Sequence, residues 1–118
     1  IKLLNVVEAG EKAGFFKDYP FYSPLEIPAG TYSGVDTATP SFQDSALWVA
    51  GDHVKDDFVY NALADIYSKE GLGYMVKVKS TAKAMSVEGG LKGIVTPVHP
   101  GAIKFWEEKG LTIAPDQK

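Results

Sequence analysis

The sequence predicts an α/β domain in which a small mixed sheet is flanked by helices. Three observations lead there. Short runs of branched and aromatic residues alternate with helical stripes in the order strand, helix, strand, long loop, strand, helix, helix, loop, helix. Strands separated by helices imply a partly parallel layer. The stretch Asp57–Lys69 carries Phe58, Val59, Ala62, Leu63, Ile66 and Tyr67 on one continuous apolar stripe. Finally, 45% of the 118 residues are apolar and 23% are charged, the balance of a chain that folds.

Taken in order, Leu3–Val7 reads as a short buried strand, because branched residues dominate and one polar residue interrupts them. Glu8–Lys17 is predicted to be a helix that Asp18-Tyr19-Pro20 ends, since the residue before proline is pushed out of the helical region. Phe21–Ile27 contains Pro24 and is predicted as an edge or irregular strand. Ile27-Pro28-Ala29-Gly30 fits a type I turn, and Thr31–Pro40 reads as loop. Asp44–Ala50, with Leu47, Trp48 and Val49, has the best strand pattern. Asp56 then sits at the start of the Asp57–Lys69 helix, as its cap or a first-turn acid, and Gly71 is expected to stop it.

Beyond that helix, Leu72, Met75 and Val76 predict one or two further turns, Ser80 or Ser86 can cap short helices, and Gly89-Gly90 and Gly93 break them. Ile94–Val98 reads as extended. Pro100 suits the first turn of a last helix and Gly110 its C-terminal cap, with Ala102, Ile103, Phe105 and Trp106 on the buried side. The tail Thr112–Lys118 is expected to fray.

Composition excludes several functions. The longest apolar run, Ala46–Ala50, is far short of the roughly 20 residues that a spanning helix needs. With no cysteine, disulfide scaffolds, thiolate metal sites and cysteine nucleophiles are excluded. The net charge of −3 comes from 12 lysines and 15 acids, with no arginine, and argues against a nucleic-acid partner. Without arginine the chain cannot supply a bidentate clamp for carboxylate or phosphate. Charge is uneven: residues 1–51 sum to −3, 52–70 to −3 and 71–109 to +3, a pattern expected of solvated helix faces.

No catalytic constellation, metal site or cofactor site is expected. His53 and His99 stand far apart, and no HxH or HExxH spacing occurs. Asp52-His53-Val54-Lys55-Asp56-Asp57 lacks the alternating acids and central glycine of a calcium loop, so it reads as a turn leading into a helix. His99, before Pro100, reads as a capping or packing residue. Gly30-Thr31-Tyr32-Ser33-Gly34 lacks the lysine and helix of a phosphate loop, and no serine stands in a GxSxG setting. Paired acids such as Asp56-Asp57 and Glu107-Glu108 read as solvated surface. Several aromatics fall in loops: Tyr19, Phe21, Tyr22, Tyr32 and Phe42. Beside polar Thr31, Ser41 and Gln43 they suit either ordinary packing or the lining of a small-molecule cleft.

Three phrases add a resemblance. Ile27-Pro28-Ala29-Gly30-Thr31-Tyr32, Asp57-Phe58-Val59-Tyr60 and the run from Pro97 through His99-Pro100-Gly101-Ala102 to Lys109-Gly110-Leu111 occur in this order. Together with Tyr19-Pro20 they resemble the C-terminal part of TAXI-type solute receptors, the extracytoplasmic binding proteins of one branch of the TRAP transporters. The resemblance spans essentially the whole chain and less than half of a typical member. Gly34-Val35 departs from the Pro-Gly that members often carry nearby, so loop placement carries over and side-chain roles do not.

The resemblance implies part of a bilobal, Venus-flytrap receptor of the type II periplasmic-binding-protein class. It implies a periplasmic or extracytoplasmic location, a small carboxylate or amino acid as solute, and TRAP membrane subunits as partners. On that reading about 1–43 would end one lobe and form a hinge region, and about 44–118 would return to the other lobe. Thr31, Tyr32, Ser41, Phe42 and Gln43 would face the ligand. The chain opens on Ile1 within a strand-like run, so a piece of a longer protein is expected, as is self-association of the uncovered piece. Two other readings stay open: a stand-alone α/β structural or interaction domain, and an enzyme on the same bilobal fold. The second would need a cofactor lysine and a histidine cluster.

Overall fold

The computed structural model describes residues 2–118, and its N-terminal stretch does not pair into a sheet. The backbone is irregular through Val6, and helix α1 (Val7–Lys12) begins inside the predicted strand. The amide of Val7 donates to Asn5 Oδ1 at 3.2 Å, a local side-chain bond that competes with strand pairing. Gly14, at φ 74°, then splits the predicted helix, and α2 (Phe15–Asp18) follows.

Strand β1 (Ser23–Ile27) pairs antiparallel with β2 (Thr39–Gln43), in a register running from Ser23↔Gln43 to Ile27↔Thr39. The partly parallel sheet is therefore corrected to a two-stranded antiparallel one among the described residues. Both strands are edges, which is why Pro24 and Pro40 are tolerated in them. The connecting turn lies one residue later than predicted. Thr31 N–H donates to the Pro28 carbonyl at 3.2 Å, with Gly30 third at φ 77°, the positive φ that a type II turn requires. Val35 closes the loop beneath it: its carbonyl accepts from Gly30 N–H at 2.8 Å, and its side chain is buried.

Asp44–Ala50, the best strand pattern in the sequence, forms no strand. Strand propensity needs a neighbouring ladder to satisfy its amides and carbonyls, and the described sheet ends at Gln43. Trp48 and Val49 are left 65% and 89% exposed.

The chain divides into two compact units. One runs through Leu47 and takes in Gly93–Val95; the other comprises Trp48–Lys92 and Thr96–Lys118. In the first unit α1 and α2 touch, and α1 also reaches β2. The second unit is helical. Its helices are α3 (Asp56–Ile66), α4 (Lys69–Val78) and α5 (Pro100–Glu108), with a 3₁₀ turn at Ser80–Ala84.

The predicted helix Asp57–Lys69 thus ends early, at Ile66, and the further turns expected around Leu72, Met75 and Val76 form a second helix, α4. Ser68 ends the first by donating its hydroxyl to the Asp65 carbonyl at 2.7 Å. It caps the second by accepting from Gly71 N–H at 2.9 Å. Gly71, expected as a stop, lies in the first turn of α4. Helix α5 follows its sequence closely. Pro100 opens it, His99 Nδ1 accepts from Gly101 N–H at 3.1 Å, and Gly110 sits past its end at φ 83°. Gly110 N–H donates to Glu107 and Leu111 N–H to Trp106, the paired bonds of a Schellman cap.

Phe105, Trp106 and Ile113, each at most 3% exposed, form the core of this unit. Tyr60, Leu63, Ala64 and Tyr67 of α3 pack against it. The frayed tail is a further correction, because Ile113 anchors it. A 3₁₀ turn at Pro115–Gln117 follows, and the Gln117 carbonyl accepts from Val98 N–H at 2.8 Å.

Candidate functional site

The five residues singled out from the sequence all lie in the first unit, and the structure gathers them only in part. Ser41, Phe42 and Gln43 are consecutive on β2, so their side chains alternate between faces. Ser41 and Gln43 share one face with Thr39. Gln43 Nε2 donates to Ser23 Oγ across the ladder at 3.4 Å. Phe42 points the other way.

Thr31 and Tyr32 lie in the connection between the strands, beyond the Ile27↔Thr39 end of the ladder. The Thr31 hydroxyl donates to the Pro28 carbonyl at 2.7 Å, which commits it to the turn. Tyr32 is 47% exposed. Gln43 is four residues along β2 from Thr39, about 13 Å at the rise of an extended strand. The geometry therefore separates a polar strand face, Thr39–Ser41–Gln43, from an exposed aromatic at the loop tip.

Phe42 belongs to an aromatic cluster. Its ring lies 5.6 Å from Phe15 and 5.2 Å from Tyr22. Phe15 contacts Phe16, Tyr19 and Tyr22 at 5.0–5.4 Å, and Tyr22 contacts Phe21 at 4.7 Å. Offset and edge-on pairs of this kind stabilise beyond their area. Phe15 is the residue the sequence reading missed. Its signal was the Phe15-Phe16 pair directly after Gly14, hidden when the segment was read as one helix.

Three side chains of the second unit have shifted proton affinities. A hydrogen bond to Glu108 raises the Tyr60 phenol, loss of hydration on burial raises that of Tyr67, and bonds from its own amide and from Ser86 lower the Glu88 carboxyl. In that unit His53 Nδ1 lies 3.7 Å from Asp52 Oδ1, both fully solvated, and Val54 N–H closes the turn on the Gly51 carbonyl at 3.0 Å. Among the described residues no three side chains are grouped to hold a metal ion. An open groove of about 430 Å³ runs along α4 between Asp65, Ser68, Tyr74 and Met75.

His99 is a structural residue here. Its Nδ1 accepts from Gly101 N–H, so the ring proton sits on Nε2, which donates to the Val54 carbonyl at 3.0 Å. Both nitrogens are occupied by backbone, which leaves no free lone pair for proton transfer to a substrate.

The arrangement offers binding chemistry: hydroxyls, an amide and aromatic faces on a small hairpin. No helix among the described residues is long and apolar enough to cross a membrane. The sequence model of the NMT1-like family, a periplasmic solute-binding family rather than a family of enzymes, matches residues 1–110, and the chain belongs to that family.

Proposed function

We propose that the chain serves in an extracytoplasmic solute receptor of the TAXI type, the capture component of a TRAP transporter. It would take a small organic anion or amino acid and deliver it to the membrane subunits. The family match over residues 1–110 carries this reading. The phrases Ile27–Tyr32 and Pro97–Leu111 support the finer assignment to the TAXI branch. Residues 1–43 would end one lobe and form the hinge region, and 44–118 would return to the other lobe, in a type II flytrap that works by closure around ligand.

On this reading Thr31, Tyr32, Ser41, Phe42 and Gln43 are the candidate ligand contacts, with Ser41 and Gln43 on one face of β2 and Phe42 on the other. With no arginine in the chain, a ligand carboxylate would be met by lysine, backbone amides and hydroxyls. Each lobe of such a receptor supplies part of the contacts. The complete receptor should therefore bind at least about a hundredfold more tightly than residues 1–118, a difference of about 2.7 kcal/mol.

Calorimetry with a panel of small carboxylates and amino acids, on both proteins, tests this. If no member binds the complete receptor, the receptor reading fails. Equal affinities would place the whole site within these residues and end the two-lobe argument.

A further inference from the structure

The first unit contains a second feature that the family resemblance does not assign. A cavity of about 200 Å³ is lined by Lys2, Leu3, Val35, Asp36, Thr37 and Thr39, where the hairpin connection meets the N-terminal stretch. It is partly open to solvent and has room for a molecule of a few heavy atoms.

The cavity presents both signs of charge. Lys2 supplies an ammonium and Asp36 a carboxylate, and among the described residues neither takes part in an ion pair. They line the same small cavity, and no ion pair joins them. Thr37 and Thr39 add hydroxyls able to donate or accept. The Thr39 hydroxyl is 3.5 Å from the Thr37 carbonyl, a long contact that an incoming acceptor can displace. Leu3 and Val35 give the same cavity an apolar wall.

We propose that this cavity is a binding site for a small zwitterion, with ammonium and carboxylate on one short aliphatic frame. The ligand carboxylate meets Lys2 and a threonine hydroxyl, its ammonium meets Asp36, and its carbon frame lies on Leu3 and Val35. A simple anion would gain Lys2 and face repulsion from Asp36; a simple cation would meet the reverse. Unpaired charges of both signs at one cavity therefore favour a ligand that carries both. This inference deepens the solute-binding reading and rests on it, while placing the contacts, Thr39 apart, at residues outside the β2 face.

Amide chemical shifts of the 118-residue chain, titrated with L-alanine, propionate and ethylamine, provide the test. L-alanine is expected to give saturable shifts at Asp36, Thr37 and Thr39. Propionate, lacking the ammonium, and ethylamine, lacking the carboxylate, should each bind about tenfold more weakly, or about 1.4 kcal/mol. Lys2→Met and Asp36→Asn should each weaken L-alanine by a similar factor. Both side chains are exposed, so the melting temperature should not change.

Propionate binding as tightly as L-alanine would overturn the zwitterion assignment and leave an anion site in keeping with a solute receptor. L-alanine shifts at Ser41 and Gln43 with none at Asp36–Thr39 would overturn the cavity while supporting the β2 face. Absence of saturable shifts with all three probes would also overturn the cavity, and calorimetry on the complete receptor would still decide the solute-binding reading.

Discussion

The α carbon of Gly101 lies against the main-chain carbonyl of Asp56, so that a Cβ at Gly101 would fall 2.1 Å from that oxygen. The contact joins the first turn of α5 to the first turn of α3. His99 fastens the same junction through the Val54 carbonyl and the Gly101 amide. Gly101→Ala is therefore expected to destabilise by about 1–3 kcal/mol through overpacking against backbone. His99→Ala should cost about 1 kcal/mol for the lost cap. Because the two residues share one junction, the double variant should lose less than the sum. Urea midpoints for the three variants check this, and strict additivity would mean that the junction is not a unit.

Helix α4 allows a comparison of opposite signs within one element. A Cβ at Gly71 would lie 2.0 Å from the Asp65 carbonyl oxygen, whereas one at Gly73 meets nothing within 4 Å. Gly71→Ala is expected to destabilise by about 1–3 kcal/mol. Gly73→Ala, in an open helical position, should stabilise by about 0.5–1 kcal/mol by reducing backbone entropy in the unfolded chain. Chemical denaturation of both variants decides it. Shifts in the same direction would show that close approach to α3 does not govern α4.

These two glycines also mark how far the sequence could be read. Helix α5 was legible from end to end, because its determinants are local: Pro100 first, His99 capping, Gly110 after the last turn. Gly71 was misread as a stop because its reason is tertiary, the approach of the Asp65 carbonyl. Asp44–Ala50 failed for the same kind of reason, since alternation and branching describe a strand but do not supply its neighbour. The tail was misjudged because Ile113 alone, in a polar run, gives no periodicity, yet it fills the space beside Phe105 and Trp106. At the candidate site the residue types were legible, but their division between the two faces of β2 depended on ladder register. Predicting Thr39 and Pro40 as loop concealed that register.

Core substitutions should be graded by burial. Trp106, 3% exposed, packs on Phe105 at 4.9 Å and on Tyr67 at 4.8 Å. Trp106→Ala is expected to destabilise by about 3–5 kcal/mol. Leu63 is half-buried against the same cluster, so Leu63→Ala should lie at the low end of the usual range, near 2 kcal/mol. Ile113→Ala, in the C-terminal tail, should rank with or above Leu63→Ala. An unchanged midpoint for Ile113→Ala would restore the picture of a frayed tail.

Alkaline pH should weaken the junction of α3 with α5. The Tyr60 hydroxyl donates to Glu108 Oε2 at 2.6 Å, and that bond is the chief cause of the raised phenol pKa. Burial raises Tyr67 in the same sense. For a group whose folded pKa exceeds its unfolded value of about 10, the stabilisation is complete below that value. It is lost as pH rises through the folded one. Melting temperatures of the parent chain should therefore fall more steeply above about pH 10 than those of Tyr60→Phe. Tyr60→Phe should keep the smaller slope due to Tyr67. Parallel curves for the two proteins would remove Tyr60 from the account.

The exposed run Ala46–Ala50 carries the last prediction. Trp48 and Val49 are among the most exposed large apolar residues described, and Leu47 beside them is 45% exposed. A strand-forming run without a ladder presents both unpaired backbone groups and apolar side chains, the combination that drives edge-to-edge association. The chain is expected to self-associate as concentration rises, and Trp48→Ser with Val49→Lys should shift it toward monomer. A charge on such a run costs little in the monomer, where the side chain is already solvated, and opposes pairing of two like copies. Phe58 is 70% exposed on the ordered helix α3, whose backbone bonds are satisfied, so Phe58→Lys serves as the comparison and should leave association unchanged. Sedimentation velocity over a concentration series separates the variants. If the parent chain stays monomeric throughout, exposure of Ala46–Ala50 does not drive assembly; if Phe58→Lys dissociates it equally, the contact lies on α3 instead.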